Sequence, residues 1–243
     1  LDLRKYGRSI LPHQKYYNVR KLAEYDAEIT QALEIIGAEQ HNAVLLCGHS
    51  TGGLTATLYA AHHPEHPLIK ALWLNSPFYD FNMHPLKRAF ALPNLSRLGK
   101  VFPNLQLPSE LNKWYSASLH KELKGEWEFN LDWKKEAYPK VRLSFIRAVF
   151  EAQKEIHRGV KIDVPALVMH SHQTKNPRKW GKAAQSSDVI LSVKHIRKYA
   201  KKIRGDVTIA EIKNGLHDLV LSEKAARSSV YRQLFSWLSS KGL

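Results

Sequence analysis

Gly48-His49-Ser50-Thr51-Gly52-Gly53 is the stretch that decides the fold of this 243-residue chain. The short apolar run Ala43–Cys47 precedes it, and Leu54–Ala61, with apolar side chains at helical spacing, follows it. A serine at a sharp strand-to-helix turn is held with its Oγ exposed, and flanking glycines remove Cβ atoms that would clash in the bend. The pattern therefore predicts Ser50 as a nucleophile. A glycine-rich turn with a solvated serine is the alternative interpretation.

Two loops further along the chain can complete such a site. A serine nucleophile needs a general base, and the base needs a carboxylate that fixes its tautomer. Asp188 lies in the polar segment after the apolar run Val164–Met169, and His217 follows the alternating run Val207–Ile212. Serine, acid and histidine in this order after successive strands is a known arrangement. We therefore predict Asp188 as the acid and His217 as the base.

Other acids and histidines fit these roles less well. Asp218 is adjacent to His217 and is expected to point elsewhere, and Asp163 precedes its strand. His170 and His172 form an H-x-H pair, but catalytic zinc sites use three protein ligands and no third is near in sequence. We therefore expect no metal. His49, just before the serine, is expected to pack or to orient other groups rather than to ionise.

Four stretches together resemble the serine-aminopeptidase and monoacylglycerol-lipase branch of the α/β-hydrolases, often called lysophospholipase-like: Asp2-Leu3-Arg4-Lys5-Tyr6-Gly7-Arg8-Ser9, Gly48-His49-Ser50-Thr51-Gly52-Gly53, Ser187-Asp188-Val189-Ile190-Leu191 and His217-Asp218-Leu219-Val220-Leu221-Ser222. The resemblance runs nearly end to end. It implies an α/β-hydrolase fold, a mainly parallel sheet flanked by helices with an inserted helical cap, and a carboxylester hydrolase with Ser50 as nucleophile, Asp188 as acid and His217 as base. The backbone N–H of Thr51 is the expected oxyanion donor. The substrate is not fixed by the resemblance.

The start of the chain departs from the family pattern. Members usually begin with about three further strands and a turn that supplies a second oxyanion donor, whereas this sequence opens at Leu1-Asp2-Leu3-Arg4, which resembles the end of a strand. We therefore expect the N-terminal strands and that donor to lie in roughly 60–90 further residues of a longer protein.

Strand and helix patterns alternate along the chain, as in a single α/β domain over residues 1–243. We predict helices over residues 17–36, 51–63, 193–203 and 223–240, and strands over 43–47, 70–75, 164–169 and 207–212. Between about 81 and 160 the pattern changes: prolines interrupt it, aromatic residues are frequent and strand alternation is absent. We assign this segment to the cap.

Composition limits the class of protein and its partners. Hydrophobic residues make up 44% and charged residues 24%, as in globular proteins, and the one cysteine, Cys47, excludes an intrachain disulfide and is expected to be buried. Lys plus Arg number 37 against 22 for Asp plus Glu, giving a formal net charge of +15. This charge favours weak attraction to anionic lipid, and specific nucleic-acid binding is not expected, since no recognised motif for it is present.

The function predicted from the sequence is hydrolysis of lipid-like carboxylic esters through an acyl-enzyme. His49 and Phe78 are the residues expected to contact the substrate. No cofactor is implied, the expected location is cytoplasmic, and the oligomeric state is left open. Two alternatives remain: a peptidase of the same fold, in which Glu126, Glu128 and Asp132 could bind a substrate amine, and a non-catalytic binding protein with a basic surface.

Overall fold

Four parallel strands form the main sheet of the protein. The computed structural model describes residues 1–109, 111–134 and 139–243. Along the chain the strands are β1 (Val44–His49), β2 (Ile69–Asn75), β3 (Gln106–Leu107), β4 (Val141–Arg142), β5 (Ala166–Ser171) and β6 (Val207–Ile212). The main sheet has the order β1-β2-β5-β6, and every neighbouring pair in it is parallel. His49 pairs with Asn75, and Asn75 with Met169, so the carboxyl ends of the strands share one edge.

Helices surround this sheet. They are α1 (Asp26–Ala38), α2 (Thr51–His62), α3 (Leu92–Val101), α4 (Trp114–Ala117), α5 (Leu143–Arg158), α6 (Lys182–Gln185), α7 (Val193–Ala200) and α8 (Lys224–Ser240). Short 3-10 turns occur at Gly7–Ser9, Leu22–Tyr25 and Leu219–Leu221, and a π-helical turn, Lys87–Ala91, leads directly into α3.

Alternation along the strands divides the core into two layers. Leu72 and Val168 point to the layer that contains buried residues of α1, α2, α5 and α7, whereas Ala71 and Leu167 point to the layer covered by α8. Because both faces are covered, β5 is buried along its whole length. This explains why Ala166–Met169, the first four residues of the strand, are continuously apolar rather than alternating.

Most predicted elements are confirmed, with shifts of one to three residues at their ends. One helix prediction was wrong at its start, because residues 17–21 are not helical and α1 begins only at Asp26. Tyr17 has a φ of 56°, which a right-handed helix does not allow. The segment of residues 81–160, where the sequence shows no strand alternation, also contains two short strands, since β3 and β4 pair antiparallel. Two residues per strand are too few to produce a visible alternation.

Cys47 is exposed, contrary to the prediction that it is buried. It lies in β1, which is an edge strand of the main sheet within the part of the chain that the structure describes. On its side of the sheet, α8 covers residues from the other three strands, while Leu45 of β1 is only partly buried against that layer. The apolar sequence of β1 was therefore not sufficient to show which of its side chains are covered.

Candidate active site

Ser50 lies in the tight turn between β1 and α2. Its backbone has φ 53° and ψ −118°, a left-handed conformation that is unusual for a residue with a side chain. Its N–H donates to the carbonyl of Asn75 at 3.0 Å, and its own carbonyl accepts from the N–H of Phe78 at 2.9 Å. The strand ends therefore hold Ser50 from both sides.

Glycines make this turn sterically feasible, but not all those of the motif contribute equally. A Cβ at Gly48 would lie 2.4 Å from the carbonyl oxygen of Gly52, and one at Gly53 would lie 2.8 Å from Pro77 Cβ. A Cβ at Gly52 would have no heavy atom within 4 Å. The expectation that the flanking glycines avoid clashes therefore holds for Gly48 and Gly53, whereas Gly52 is not required on steric grounds.

The structure brings Ser50, His217 and Asp188 together. His217 Nε2 lies 3.0 Å from Ser50 Oγ, and Nδ1 lies 2.9 Å from Asp188 Oδ2. A carboxylate only accepts hydrogen bonds, so Nδ1 carries the proton and Nε2 is free to accept from the serine hydroxyl. Such an arrangement can take a proton from the hydroxyl and pass it on.

Asp188 is fully buried, and its second oxygen is satisfied by the backbone. Oδ1 accepts from the N–H groups of Ile190 and Leu191 at 2.8 and 2.7 Å, which leaves Oδ2 for His217. The N–H of Asp188 donates to Gln173 O at 3.0 Å, so the loop after β5 is tied at this point. These contacts fix the orientation of the carboxylate.

Asp218 and His49 form a second polar cluster beside His217. His217 Nδ1 bonds Asp188 rather than Asp218, and Asp218 Oδ1 instead accepts from Asn75 Nδ2 at 2.8 Å. Its Oδ2 lies 3.9 Å from His49 Nε2. The ring of His49 packs 4.7 Å from that of His217, and its Nδ1 donates to the carbonyl of Asn75 at 3.1 Å. The sequence singled out His49 but did not identify Asn75.

Burial sets the charge state of His49. Desolvation lowers its pKa to about 4, and the carboxylate of Asp218, which acts in the opposite direction, does not offset this effect. His49 is therefore neutral near pH 7, consistent with the expectation that it packs or orients rather than ionises. With Nδ1–H used by Asn75, its Nε2 is an acceptor that lies 3.4 Å from the hydroxyl of Tyr115.

Residues from the segment between β2 and β5 also reach this site. Tyr115 of α4 packs the edge of its ring 5.3 Å from His217, and Lys134 Nζ lies 5.4 Å from the centre of the Tyr115 ring. Phe78 follows β2, is half-buried and packs against Phe81 at 4.9 Å. Aromatic residues in this segment were noted in the sequence, but nothing there indicated that Tyr115 would contact the histidine.

The histidines of the H-x-H pair have other partners. His170 Nδ1 lies 2.6 Å from the carbonyl of Ser171, and His172 Nδ1 accepts from the N–H of Asn214 at 3.0 Å. Among residues 1–109, 111–134 and 139–243, no group of three or more His, Cys, Asp or Glu side chains is placed to hold a metal ion. In the same ranges no helix is long and apolar enough to cross a bilayer.

Most of the chain matches a known protein family. Residues 1–225 match the family described as serine aminopeptidase, S33. The chain belongs to this family. A curated relative from Bacillus subtilis, the AB hydrolase superfamily protein YisY, is 24% identical over 191 residues, which are 72% of this chain and 63% of the relative. The match thus spans less than two thirds of the length of that relative.

Solved structures of two lipases share the fold. A monoacylglycerol lipase from Paleococcus ferrophilus has a TM-score of 0.70 at 21% identity, with 99% of this chain and 82% of that chain covered. A monoglyceride lipase from Saccharomyces cerevisiae has a TM-score of 0.66 at 15% identity, with 99% and 76% covered. At these identities the likeness establishes the α/β-hydrolase fold, which confirms the predicted fold class.

Proposed function

We propose that this α/β-hydrolase is a serine carboxylester hydrolase that acts through an acyl-enzyme on Ser50. The observation that carries the proposal is the position of His217, with Nε2 3.0 Å from Ser50 Oγ and Nδ1 2.9 Å from Asp188 Oδ2. The burial of His217 and Asp188 strengthens these hydrogen bonds, because water does not compete for them.

Acylation begins when Ser50 Oγ attacks the ester carbonyl carbon and His217 Nε2 takes the hydroxyl proton. Asp188 keeps Nδ1 protonated and stabilises the imidazolium that forms. As the tetrahedral intermediate collapses, the bond to the alkoxy oxygen breaks and Nε2 returns the proton to the leaving alcohol. The acyl group then remains on Ser50.

Thr51 contributes its backbone N–H to the developing oxyanion. It is the first residue of α2, and the first N–H groups of a helix have no acceptor within that helix. The positive end of the helix dipole acts in the same direction. Because this donor is one residue from the nucleophile, it can donate to the carbonyl oxygen of an ester bound at Ser50.

Deacylation reverses the roles with water as the nucleophile. His217 Nε2 accepts a proton from the water as its oxygen attacks the acyl carbon, and then returns that proton to Ser50 Oγ as the carboxylic acid leaves. The enzyme is regenerated without any cofactor.

Lipid-like esters are the proposed substrates. The segment of about residues 81–160 is proposed to form a cap over the bound ester. Support comes from the ring of Tyr115, which packs against His217 from within this segment. Phe78 offers a half-buried aromatic surface for an acyl chain, and the half-buried ring of His49, which packs against His217, lies where it can contact the substrate. A monoacylglycerol or lysophospholipid type of ester fits this combination.

The peptidase alternative receives little support from the acidic residues named for it. Glu126 and Glu128 are exposed, and each is paired with a basic residue of the chain, Arg227 and Lys121 respectively; Asp132 is exposed as well. Carboxylates engaged in this way on the surface do not form a pocket for a substrate amine. The esterase is therefore the function proposed here.

We also propose weak attraction to an anionic lipid surface through the segment from Leu86 to Leu105. This segment carries exposed apolar side chains and the exposed basic residues Lys87, Arg97 and Lys100; the apolar ones are Leu86, Phe90, Leu98, Val101, Phe102 and Leu105. Apolar groups together with positive charge favour the boundary of an anionic bilayer.

A fluorophosphonate probe tests the esterase proposal. We expect it to label Ser50 of the wild-type chain, and Ser50→Ala to lose labelling and roughly 10³-fold or more of kcat while keeping its fold. Ser236→Ala, an exposed serine of α8, is the matched control and should keep both. Full turnover by Ser50→Ala would reject the nucleophile, and a wild-type chain without labelling or turnover would favour the non-catalytic alternative. p-Nitrophenyl esters against aminoacyl anilides then separate esterase from peptidase.

A further inference from the structure

Asn75, the last residue of β2, connects the two loops that carry the proposed catalytic groups. It is 5% exposed. Its backbone carbonyl accepts from the N–H of Ser50 at 3.0 Å and from His49 Nδ1 at 3.1 Å. The main chain of Asn75 thus holds the turn that presents the nucleophile.

The side chain of Asn75 holds the other loop. Its Nδ2 donates to Asp218 Oδ1 at 2.8 Å, and its Oδ1 accepts from the N–H of Leu219 at 3.2 Å. Asp218 directly follows His217, so both contacts fix the backbone next to the base. One residue is therefore bonded to the serine turn through its backbone and to the histidine loop through its side chain.

An amide is the side chain that these two contacts require. The carboxylate of Asp218 needs a hydrogen-bond donor, and the backbone N–H of Leu219 needs an acceptor. The amide of Asn75 supplies both from one planar group, its Nδ2 as the donor and its Oδ1 as the acceptor. Burial acts to raise the pKa of Asp218, but His49, which is protonated at the acidic pH where Asp218 titrates, lowers it together with Lys134 and the Asn75 hydrogen bond. Asp218 is therefore a carboxylate near pH 7. Loss of its donor would leave this largely buried carboxylate, 13% exposed, without a hydrogen-bond partner, and the loop would move toward water.

We propose that Asn75 is a positioning residue, which sets the distance between Ser50 Oγ and His217 Nε2 through its amide contacts with Asp218 and Leu219. The inference rests on the proposed function, since it assigns a role in the same reaction. Asn75 lies between residues that are far apart in the chain, and misplacement of a reacting group by about 1 Å is enough to reduce a rate about 100-fold.

Asn75→Ala removes the amide contacts and keeps the backbone contact to Ser50. We expect kcat for a p-nitrophenyl ester to fall about 10- to 100-fold. KM should change less than about twofold, because Asn75 is buried beneath the reacting groups and holds them rather than the substrate. Asn42→Ala, an exposed asparagine in the loop before β1, is the matched control and should leave both constants unchanged. A normal kcat in Asn75→Ala, or a loss confined to KM, would overturn the proposal.

Reversal of the donor and acceptor provides a test that does not depend on Asn75→Ala being folded. Asn75→Asp alone sets a carboxylate against Asp218 and should lower kcat at least as much as Asn75→Ala. Asn75→Asp combined with Asp218→Asn restores one donor and one acceptor across the pair, and the introduced carboxylate can still accept from Leu219. We expect kcat to recover to within about tenfold of wild type. A reversed pair no more active than Asn75→Asp, folded or not, contradicts the positioning role.

Parallel measurements on Ser50→Ala separate this inference from the proposed function. Loss of activity in Ser50→Ala with no effect of Asn75→Ala would reject the positioning role alone. Retained turnover in Ser50→Ala would reject the proposed function, whatever the Asn75 variants do. The two failures therefore give different patterns.

Discussion

Ser50 occupies a backbone conformation that only its surroundings maintain. A non-glycine residue in this region costs on the order of 1–3 kcal/mol. Hydrogen bonds from its N–H to Asn75 and to its carbonyl from Phe78 offset the strain, and both partners belong to or follow β2. These hydrogen bonds therefore maintain the strained conformation, which places Oγ at the carboxyl edge of the sheet within reach of His217.

The glycines around Ser50 give the first prediction at this scale. Gly48→Ala should destabilise the fold by about 3 kcal/mol, because the added Cβ would meet the Gly52 carbonyl and the turn has no room to relax. Gly52→Ala should be neutral or stabilising by about 0.5–1 kcal/mol, since its Cβ meets open space within a helix. Urea denaturation of the two variants measures this difference. A larger loss of stability in Gly52→Ala than in Gly48→Ala would contradict this steric explanation.

The sequence predicted Ser50, Asp188 and His217 from their order after successive strands, and the structure brings them together. It did not predict the contacts of Asn75 or the pairing of Asp218 with His49. The three residues of the serine site could be predicted because carboxyl ends of parallel strands meet at one edge of the sheet. The contacts of Asn75 and Asp218 could not, because they depend on which buried donor faces which acceptor, and these two residues are 143 positions apart. A polar residue ending a predicted strand was the one available signal.

His49 predicts a dependence of stability on pH. Its ordinary pKa is 6.5, and burial lowers it to about 4 in the fold, where Asp218, His217 and Lys134 surround it. Between these values the unfolded chain takes up a proton that the folded chain does not, so the free energy of unfolding falls as pH drops from 6.5 toward 4. Below about pH 4 this group adds no further change.

Chemical denaturation across this interval, on wild type and His49→Gln, isolates the effect. Burial also lowers the pKa values of His157, His170 and His195, and these act in the same direction in both proteins. The difference in slope between the two proteins therefore belongs to His49. Parallel slopes would show that His49 takes up its proton in the fold as easily as in the unfolded chain.

At the scale of elements, strands were easier to predict than the segment between β2 and β5. β6 begins and ends where the alternation of its residues predicted, and β5 was recognised by its continuous apolar run. By contrast, β3 and β4 have two residues each and pair across a long separation, so no local pattern reveals them. The placement of this segment depends on particular side-chain contacts with the core.

Asp80 provides one such contact, and it yields a prediction. The buried carboxylate lies 3.0 Å from Arg88 in the π-helical turn and 3.6 Å from His195 in α7. Arg88→Met leaves a buried charge without its main partner and should lower the free energy of unfolding by about 3 kcal/mol. Asp80→Asn combined with Arg88→Met should recover most of that loss, because the unpaired charge is gone. A double variant as unstable as Arg88→Met would show that the loss comes from packing of the arginine.

At the scale of the whole molecule, the fold class followed from the family resemblance and from the alternation of strands and helices, which is typical of a mainly parallel sheet with helices on both faces. The two-layer core agrees with this, since α8 covers one face and α2, α5 and α7 cover the other. Exposure was harder to predict, as Cys47 shows, because it depends on which neighbours cover an edge strand. Surface chemistry is therefore where the structure adds most to the sequence.

The net charge of +15 and the apolar surface of the segment from Leu86 to Leu105 lead to the last prediction. The chain should bind vesicles that contain phosphatidylserine more strongly than phosphatidylcholine vesicles, and added salt should weaken the binding, because exposed charges are screened. Lys87→Glu combined with Lys100→Glu should weaken it at least about tenfold, since each basic residue near an anionic surface contributes about 1 kcal/mol. Vesicle co-sedimentation measures these affinities.

Phe90 and Val101, each 68% exposed, test the apolar part of the same surface. Phe90→Ser combined with Val101→Ser removes side chains that would insert among the acyl chains, and binding should weaken even where the charge is unchanged. Phe235→Ser and Arg232→Glu on the exposed face of α8 are the matched controls. If these controls weaken binding as much as the variants of the segment do, the attraction is a property of the overall charge, and the segment from Leu86 to Leu105 is not its site.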